Sequence, residues 1–171
     1  LWREQLEAFC IFQDPDASPA EIRSAQNKLS ILKGQLLETA AKDALEESGL
    51  DVEPKQQLME GAFGNTKPDI IAQNDIERSV QAFGKTIRPG QQLSIECKCG
   101  NTAYMKQQLT HHIPNQLSGQ VGQKVLLTTS DIRNVPAGLA ERVCDQYGAK
   151  LAVLDVPAGQ VEQALKEVAN T

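Results

Sequence analysis

Asp69, Glu96 and Lys98 are the residues of this chain whose types and spacing could do chemistry. Glu96 and Lys98 stand two apart in Leu93-Ser94-Ile95-Glu96-Cys97-Lys98-Cys99-Gly100, a run of strand character. A strand alternates faces, so the acid and the lysine project on one side and Ile95, Cys97 and Cys99 on the other. One face is then charged and the other can be buried. An acid and a lysine at the end of a buried strand are costly unless paired or used. Asp69 stands at the mouth of a second apolar run, Lys67-Pro68-Asp69-Ile70-Ile71. Two carboxylates at the ends of neighbouring strands can hold a hard divalent cation, Mg²⁺ or Mn²⁺. Waters would complete the shell, and the Cys97 carbonyl could add an oxygen. Such an ion orients or acidifies a water and offsets charge building on a phosphate. Lys98 would position that water or steady the charged transition state. This is phosphodiester hydrolysis chemistry. The plain alternative is a surface ion pair beside an unrelated acid, and the apolar opposite face of the strand speaks against it.

Two other chemistries compete for the same segment. Cys97, Cys99, His111 and His112 could bind Zn²⁺. Both thiolates would then lie on the face opposite Glu96, and adjacent histidines on a helix point about 100° apart. Cysteine is also a common small core residue. A serine or cysteine nucleophile finds no support, because no Gly-x-Ser-x-Gly and no glycine-rich phosphate loop occurs.

Composition sets the frame. The 171 residues suit one domain with a helical arm, and 40% hydrophobic with 23% charged residues is ordinary for a globular chain. Aromatics are only 4%, so aliphatic side chains must fill the core. No apolar run approaches the roughly 20 residues that span a membrane. No apolar leader is visible at the start. Four scattered cysteines do not form a disulfide scaffold, so a reducing compartment is expected. The net charge of −5 argues against a general nucleic-acid binder, but it is unevenly spread. Residues 1–62 hold 12 acids against 6 lysines and arginines, whereas residues 63–134 hold 5 against 8. The basic excess surrounds the candidate carboxylates, as suits a polyanionic substrate.

The elements that must position these residues read as follows. Residues 1–12 form a short amphipathic helix ended by Asp14-Pro15-Asp16. Ser18-Pro19-Ala20-Glu21 is a capping-box start for a helical pattern running to about Ser48, with Gly49 as its stop. Gly34, in the middle, marks either a break between two helices or close packing on a sheet. Strands are expected over 69–72 and 93–99, with a hairpin excursion between them. A helix or loop–helix interrupted by Pro114 covers 102–120. A buried-type strand over 124–129, a helix over 136–147, a strand over 150–156 and a closing helix over 159–169 complete the chain. The fold expected is an α/β sandwich around a central mixed sheet, with an N-terminal helical segment.

Pro68-Asp69 followed by Glu96-Cys97-Lys98 resembles the PD-(D/E)xK motif of restriction-endonuclease-like nucleases. The resemblance implies a restriction-endonuclease-like core over residues 33–171, preceded by a helical segment over residues 1–32. It extends to the Gly34–Glu38 stretch, similar to the family's first core helix, which often contributes an acid. Glu38 thereby becomes a candidate third metal ligand beside Asp69 and Glu96. On pattern alone, Glu38 borders the buried stripe and reads as a solvated glutamate. A glutamine after the Glu-x-Lys strand also fits, with Gln116 first and Gln120 second. Lys67, Lys106, His111 and His112 are the candidate substrate contacts. The resemblance implies a metal-dependent endonuclease using Mg²⁺ or Mn²⁺, with Zn²⁺ as an alternative. A start without Met and a helical lead-in are similar to bacterial toxin nuclease domains of contact-dependent inhibition. Such a module would cut DNA, or alternatively tRNA, in the bacterial cytoplasm, delivered within a larger secreted protein and neutralised by a cognate immunity protein. A restriction or repair nuclease, and a non-catalytic nucleic-acid-binding module, are the rivals.

Overall fold

Ser18 opens the longest element. Its hydroxyl accepts from the Glu21 amide at 3.1 Å, and the Glu21 carboxylate accepts from the Ser18 amide at 3.2 Å. This closes a capping box before Pro19. The helix α2 then runs unbroken over Pro19–Glu47, after a first helix α1 over Trp2–Gln13. The computed structural model describes residues 2–161 and 163, apart from 55, 57, 58, 62 and 63.

Neither expectation for Gly34 holds. The helix does not break there, and a Cβ on Gly34 would meet nothing within 4 Å. The two halves of α2 have different partners. Ala25, Leu29 and Leu32 pack with Ala8 of α1 in a cluster of their own. Leu37, Ala41 and Leu45 pack on the sheet. A periodic apolar stripe continues through both halves, so the glycine is tolerated within the hydrogen-bonded ladder.

The strands are β1 (Asp51–Val52), β2 (Met59–Gly61), β3 (Gly64–Thr66), β4 (Ile70–Gln73), β5 (Val80–Ala82), β6 (Lys85–Ile87) and β7 (Gln92–Lys98). They are followed by helices α3 (Thr102–His111) and α4 (Ile113–Ser118), then β8 (Gln123–Thr129). A 3-10 helix over Ser130–Asn134, helix α5 (Leu139–Gln146) and strand β9 (Ala149–Leu154) follow. The helix expected from residue 136 starts only at Leu139, after a turn over 135–138 that ends at Gly138 with a φ of 80°. Of the closing helix expected over 159–169, residues 159–161 and 163 are helical, and the rest lies outside the described residues.

Five strands form a mixed sheet in the order β1-β4-β7-β8-β9. β4 is antiparallel to both of its neighbours, β1 and β7; β7, β8 and β9 run parallel. Parallel neighbours need crossovers, and α3–α4 and α5 supply them. Helix α2 and the β5–β6 hairpin cover one face through Ile70, Leu93, Ile95, Cys97, Val125 and Leu127. Helices α3, α4 and α5 cover the other through Leu126, Met105, Leu109, Ile113 and Cys144. The α/β sandwich with a central mixed sheet is therefore the architecture. No helix among the described residues is long and apolar enough to cross a membrane.

The stretch between β4 and β7 is held by one buried side chain. Asn74 donates to the Arg78 and Ile87 carbonyls at 2.9 and 2.8 Å and accepts from the Ile76 amide at 3.1 Å. That closes the base of the β5–β6 excursion and leaves β4 and β7 paired directly.

Because Gly34 sits inside a long helix with open space at its Cβ, Gly34→Ala should stabilise the protein by about 0.5–1 kcal/mol. Chemical denaturation would show a higher midpoint; a lower one would mean that the helix is strained at this point. Leu45→Ala, at a fully buried position on the same helix, should cost about 2–5 kcal/mol.

Candidate functional site

Register builds the site. Ile70 lies opposite Ile95 in the β4–β7 pair. Continuing that register by one residue sets Asp69 opposite Glu96, on the same face of the sheet. The Asp69 carboxylate turns back across the strands and accepts from the Cys97 amide at 2.8 Å. Its other oxygen accepts from Gln56 Nε2 at 3.4 Å. The Glu96 carboxyl lies within hydrogen-bonding reach of both the Asp69 carboxylate and the Asp69 backbone amide. The two acids therefore form a contacting pair.

Glu96 projects from the middle strand of five, and it is only 2% exposed. The sequence suggested one charged and one buried face for this strand. Both faces are buried, because β8 runs beside it and α3–α4 close over the face that Glu96 shares with Leu126. Burial pushes the Glu96 carboxyl well above the usual range, and the Asp69 charge pushes it further; the Lys98 ammonium pulls the other way. Glu96 Oε2 has no hydrogen-bond partner. An acceptor oxygen left alone in the interior is costly, and such an atom asks for a donor or a cation.

Lys98 ends β7 and is half-buried. With Cys97, Cys99, Gly100 and Asn101 it lines a cleft of about 360 Å³ between α2 and the start of α3. Cys97 faces α2, as alternation requires, and its thiol is pushed up strongly by burial and by the Asp69 and Glu96 charges. It is a core residue, not a nucleophile.

The remaining expected residues are less closely gathered. Glu38 projects from α2 and is ion-paired with Lys42 at 3.1 Å. Its charge reaches the Cys97 thiol, on the α2 side of the sheet. Among the described residues no three His, Cys, Asp or Glu side chains converge on one metal position, so Glu38 does not join Asp69 and Glu96 as a third ligand. The same finding applies to the zinc set. Cys97 packs under α2, whereas His111 and His112 are exposed at the end of α3 on the other face. Gln116 sits on α4, the helix over the Glu96 face, with its buried Oε1 unpartnered. Gln120 donates to the Val125 carbonyl at 3.3 Å and also keeps an unpartnered oxygen. Lys67 and Lys106 are exposed.

Sequence reasoning missed Gln56 and Lys42, which hold Asp69 and Glu38. Lys42 was legible as the residue one helical turn after Glu38. Nothing in the pattern around Gln56 announced it.

The oxygen donors fit a hard cation. Two carboxylates, one with an orphaned buried oxygen, match Mg²⁺ or Mn²⁺, which take one or two protein carboxylates and keep several waters. No family model, curated protein or solved structure matches the chain.

The upward push on the Glu96 carboxyl has a measurable consequence in the metal-free protein. A carboxyl with a raised native pKa binds its proton more tightly folded than unfolded. Its stabilising share is complete below the unfolded pKa and is lost as pH rises through the folded one. Glu96→Gln should therefore raise the melting temperature on the alkaline side of neutrality and flatten its decline as pH rises above the ordinary carboxylate range. An unchanged pH profile would mean that Glu96 is ionised at rest.

Proposed function

We propose that this protein is a metal-dependent nuclease that hydrolyses phosphodiester bonds of nucleic acid. The observation that carries the reading is the pairing of a half-buried Asp69 with Glu96, which is buried on the central strand and has an oxygen with no partner, with a lysine two residues on. A structural role leaves that oxygen unexplained. The sheet order supports the reading too: three antiparallel strands, then a helical crossover into a parallel one, with Asp69 at the mouth of the second strand and Glu96 on the third.

Each residue then has a task. Asp69 and Glu96 would hold Mg²⁺ or Mn²⁺. When bound, such an ion lowers the cost of charge building on the phosphoryl group and of deprotonating a water. Lys98 reaches the same region from the end of β7. Its ammonium donates to a phosphate oxygen or orients the attacking water. Attack on phosphorus by that water breaks the bond to the leaving oxygen. Burial of Glu96 under α3–α4 keeps bulk solvent from competing for its carboxylate. Gln116, on the covering helix, offers an amide to the same face. Lys67, Lys106, His111 and His112 remain available at the surface for the polyanion.

The wider setting follows the sequence resemblance to bacterial toxin nuclease domains. On that basis DNA is the first substrate and tRNA the second, the site of action is a bacterial cytoplasm, and a cognate immunity protein is the partner.

A supercoiled plasmid and total tRNA, each incubated with Mg²⁺ or Mn²⁺, test the reading. One polymer should be cut only when metal is present. Glu96→Gln and Lys98→Met should each lower the rate roughly a hundredfold or more. The ion should also raise the melting temperature of the parent protein and not of Glu96→Gln, since a ligand stabilises only the state that binds it. Folded protein that cuts neither polymer in either metal is not a nuclease.

A further inference from the structure

The cleft at the end of β7 has features that hydrolysis alone does not use. It is lined on one side by Ser30, Ile31, Lys33 and Gly34 of α2, and on the other by Tyr104 of α3. Its floor is the end of β7, so it shares Lys98 with the candidate site. Ile31 is 62% exposed and Tyr104 40%, two large apolar side chains beside the opening.

Two glycines shape this space. Gly100 is buried at the end of β7, and a Cβ there would overlap the Tyr104 ring. The ring therefore lies against the backbone of Gly100. Asn101 fixes the turn of chain that carries it, accepting from the Tyr104 amide at 2.9 Å as the cap of α3. Gly34 has the opposite character. Helix interiors disfavour glycine, and no close neighbour excludes a side chain here. Its only evident effect is to leave the α2 wall of the cleft open where a side chain would project.

An open slot with a positioned aromatic ring, an aliphatic rim and two lysines matches a nucleotide. The ring offers a face for stacking, which is sequence-tolerant, and the lysines suit a phosphate. A base can enter such a slot only when it is out of a duplex stack. Resting on the nuclease reading, we infer that this cleft receives one unstacked base of a single-stranded nucleic acid next to the scissile phosphate. The base stacks on Tyr104 and occupies the space left by Gly34, and its phosphate lies toward Lys98. The preferred substrate is then a single strand or loop, not a continuous duplex.

The test uses oligonucleotides of one sequence, as single-stranded DNA, single-stranded RNA and duplex, each carrying 2-aminopurine. With Ca²⁺ in place of Mg²⁺, the single strands should show quenching that Tyr104→Ala abolishes and Tyr104→Phe preserves. With Mg²⁺, single strands should be cut faster than duplex. Tyr104→Ala and Gly34→Leu should raise KM by roughly five- to a hundredfold, the range expected for one stacked base. Gly34→Leu should melt no lower than the parent, so its defect would not be unfolding. Equal cutting of single strand and duplex, with KM unchanged in both variants, overturns the cleft proposal and leaves the nuclease intact. Tyr104-dependent quenching without cleavage of any polymer overturns the nuclease and leaves a nucleotide-binding cleft. Absence of both overturns both.

Discussion

The pairing of β4 with β7 is the constraint on which the rest depends. It sets Asp69 opposite Glu96 and brings the Cys97 amide to the Asp69 carboxylate. A slip of one residue would exchange the faces of β7. Glu96 would then point into the cluster of Leu37, Ala41 and Leu45, and Ile95 and Cys97 would lose their places in it. Apolar packing on the α2 face therefore holds the acids in place on the other. The force that fixes the site is mostly hydrophobic, although the site itself is polar. Asn74 serves the same end, since it ties off the base of the β5–β6 excursion while β4 and β7 pair directly.

Helix α2 links this arrangement to the outer part of the molecule. Its second half covers the sheet, and its first half carries α1. The cleft lies near the change from one role to the other, where Ile31 and Gly34 face the end of β7. A helix of 29 residues is held along its length by two separate apolar clusters, so one weak position within it is tolerable. That gives Gly34 room to serve the cleft at little cost to the fold.

Much of this was legible in the sequence, and the parts that were not have common causes. The capping box at Ser18, the strands around Ile70 and Ile95 and the buried run at Val125 rest on local pattern, and the structure has them. Local pattern also placed Cys97 in the core. It could not say that β7 is central. Alternation predicts two different faces, but whether the second face is covered depends on where β8 and α3–α4 pack, which is long-range information. So the burial of Glu96 had to come from the structure. Glu38 illustrates the reverse. Helical spacing placed it at the border of the apolar stripe, and there it is, with Lys42 four residues along as its ion-pair partner. Gly34 invited two explanations, a helix break and close packing on a sheet; its neighbour is an empty space, which no sequence pattern records.

The competing account of Glu96, a structural ion pair with Lys98, is energetically costly. A pair kept for stability should be either exposed, where each partner stays hydrated, or buried with every oxygen satisfied. Glu96 is neither: it is buried, the charge that acts on it most strongly is another acid's, and one oxygen accepts from nothing. A glutamine or an aliphatic residue would fill the same volume with less electrostatic cost. An arrangement that weakens the resting fold persists when the missing interaction is supplied by something else. On the nuclease reading proposed above, that interaction is positive charge at an oxygen, beside a lysine-lined cleft. A cation and a polyanion would then complete it together, each lowering the cost of the other's presence.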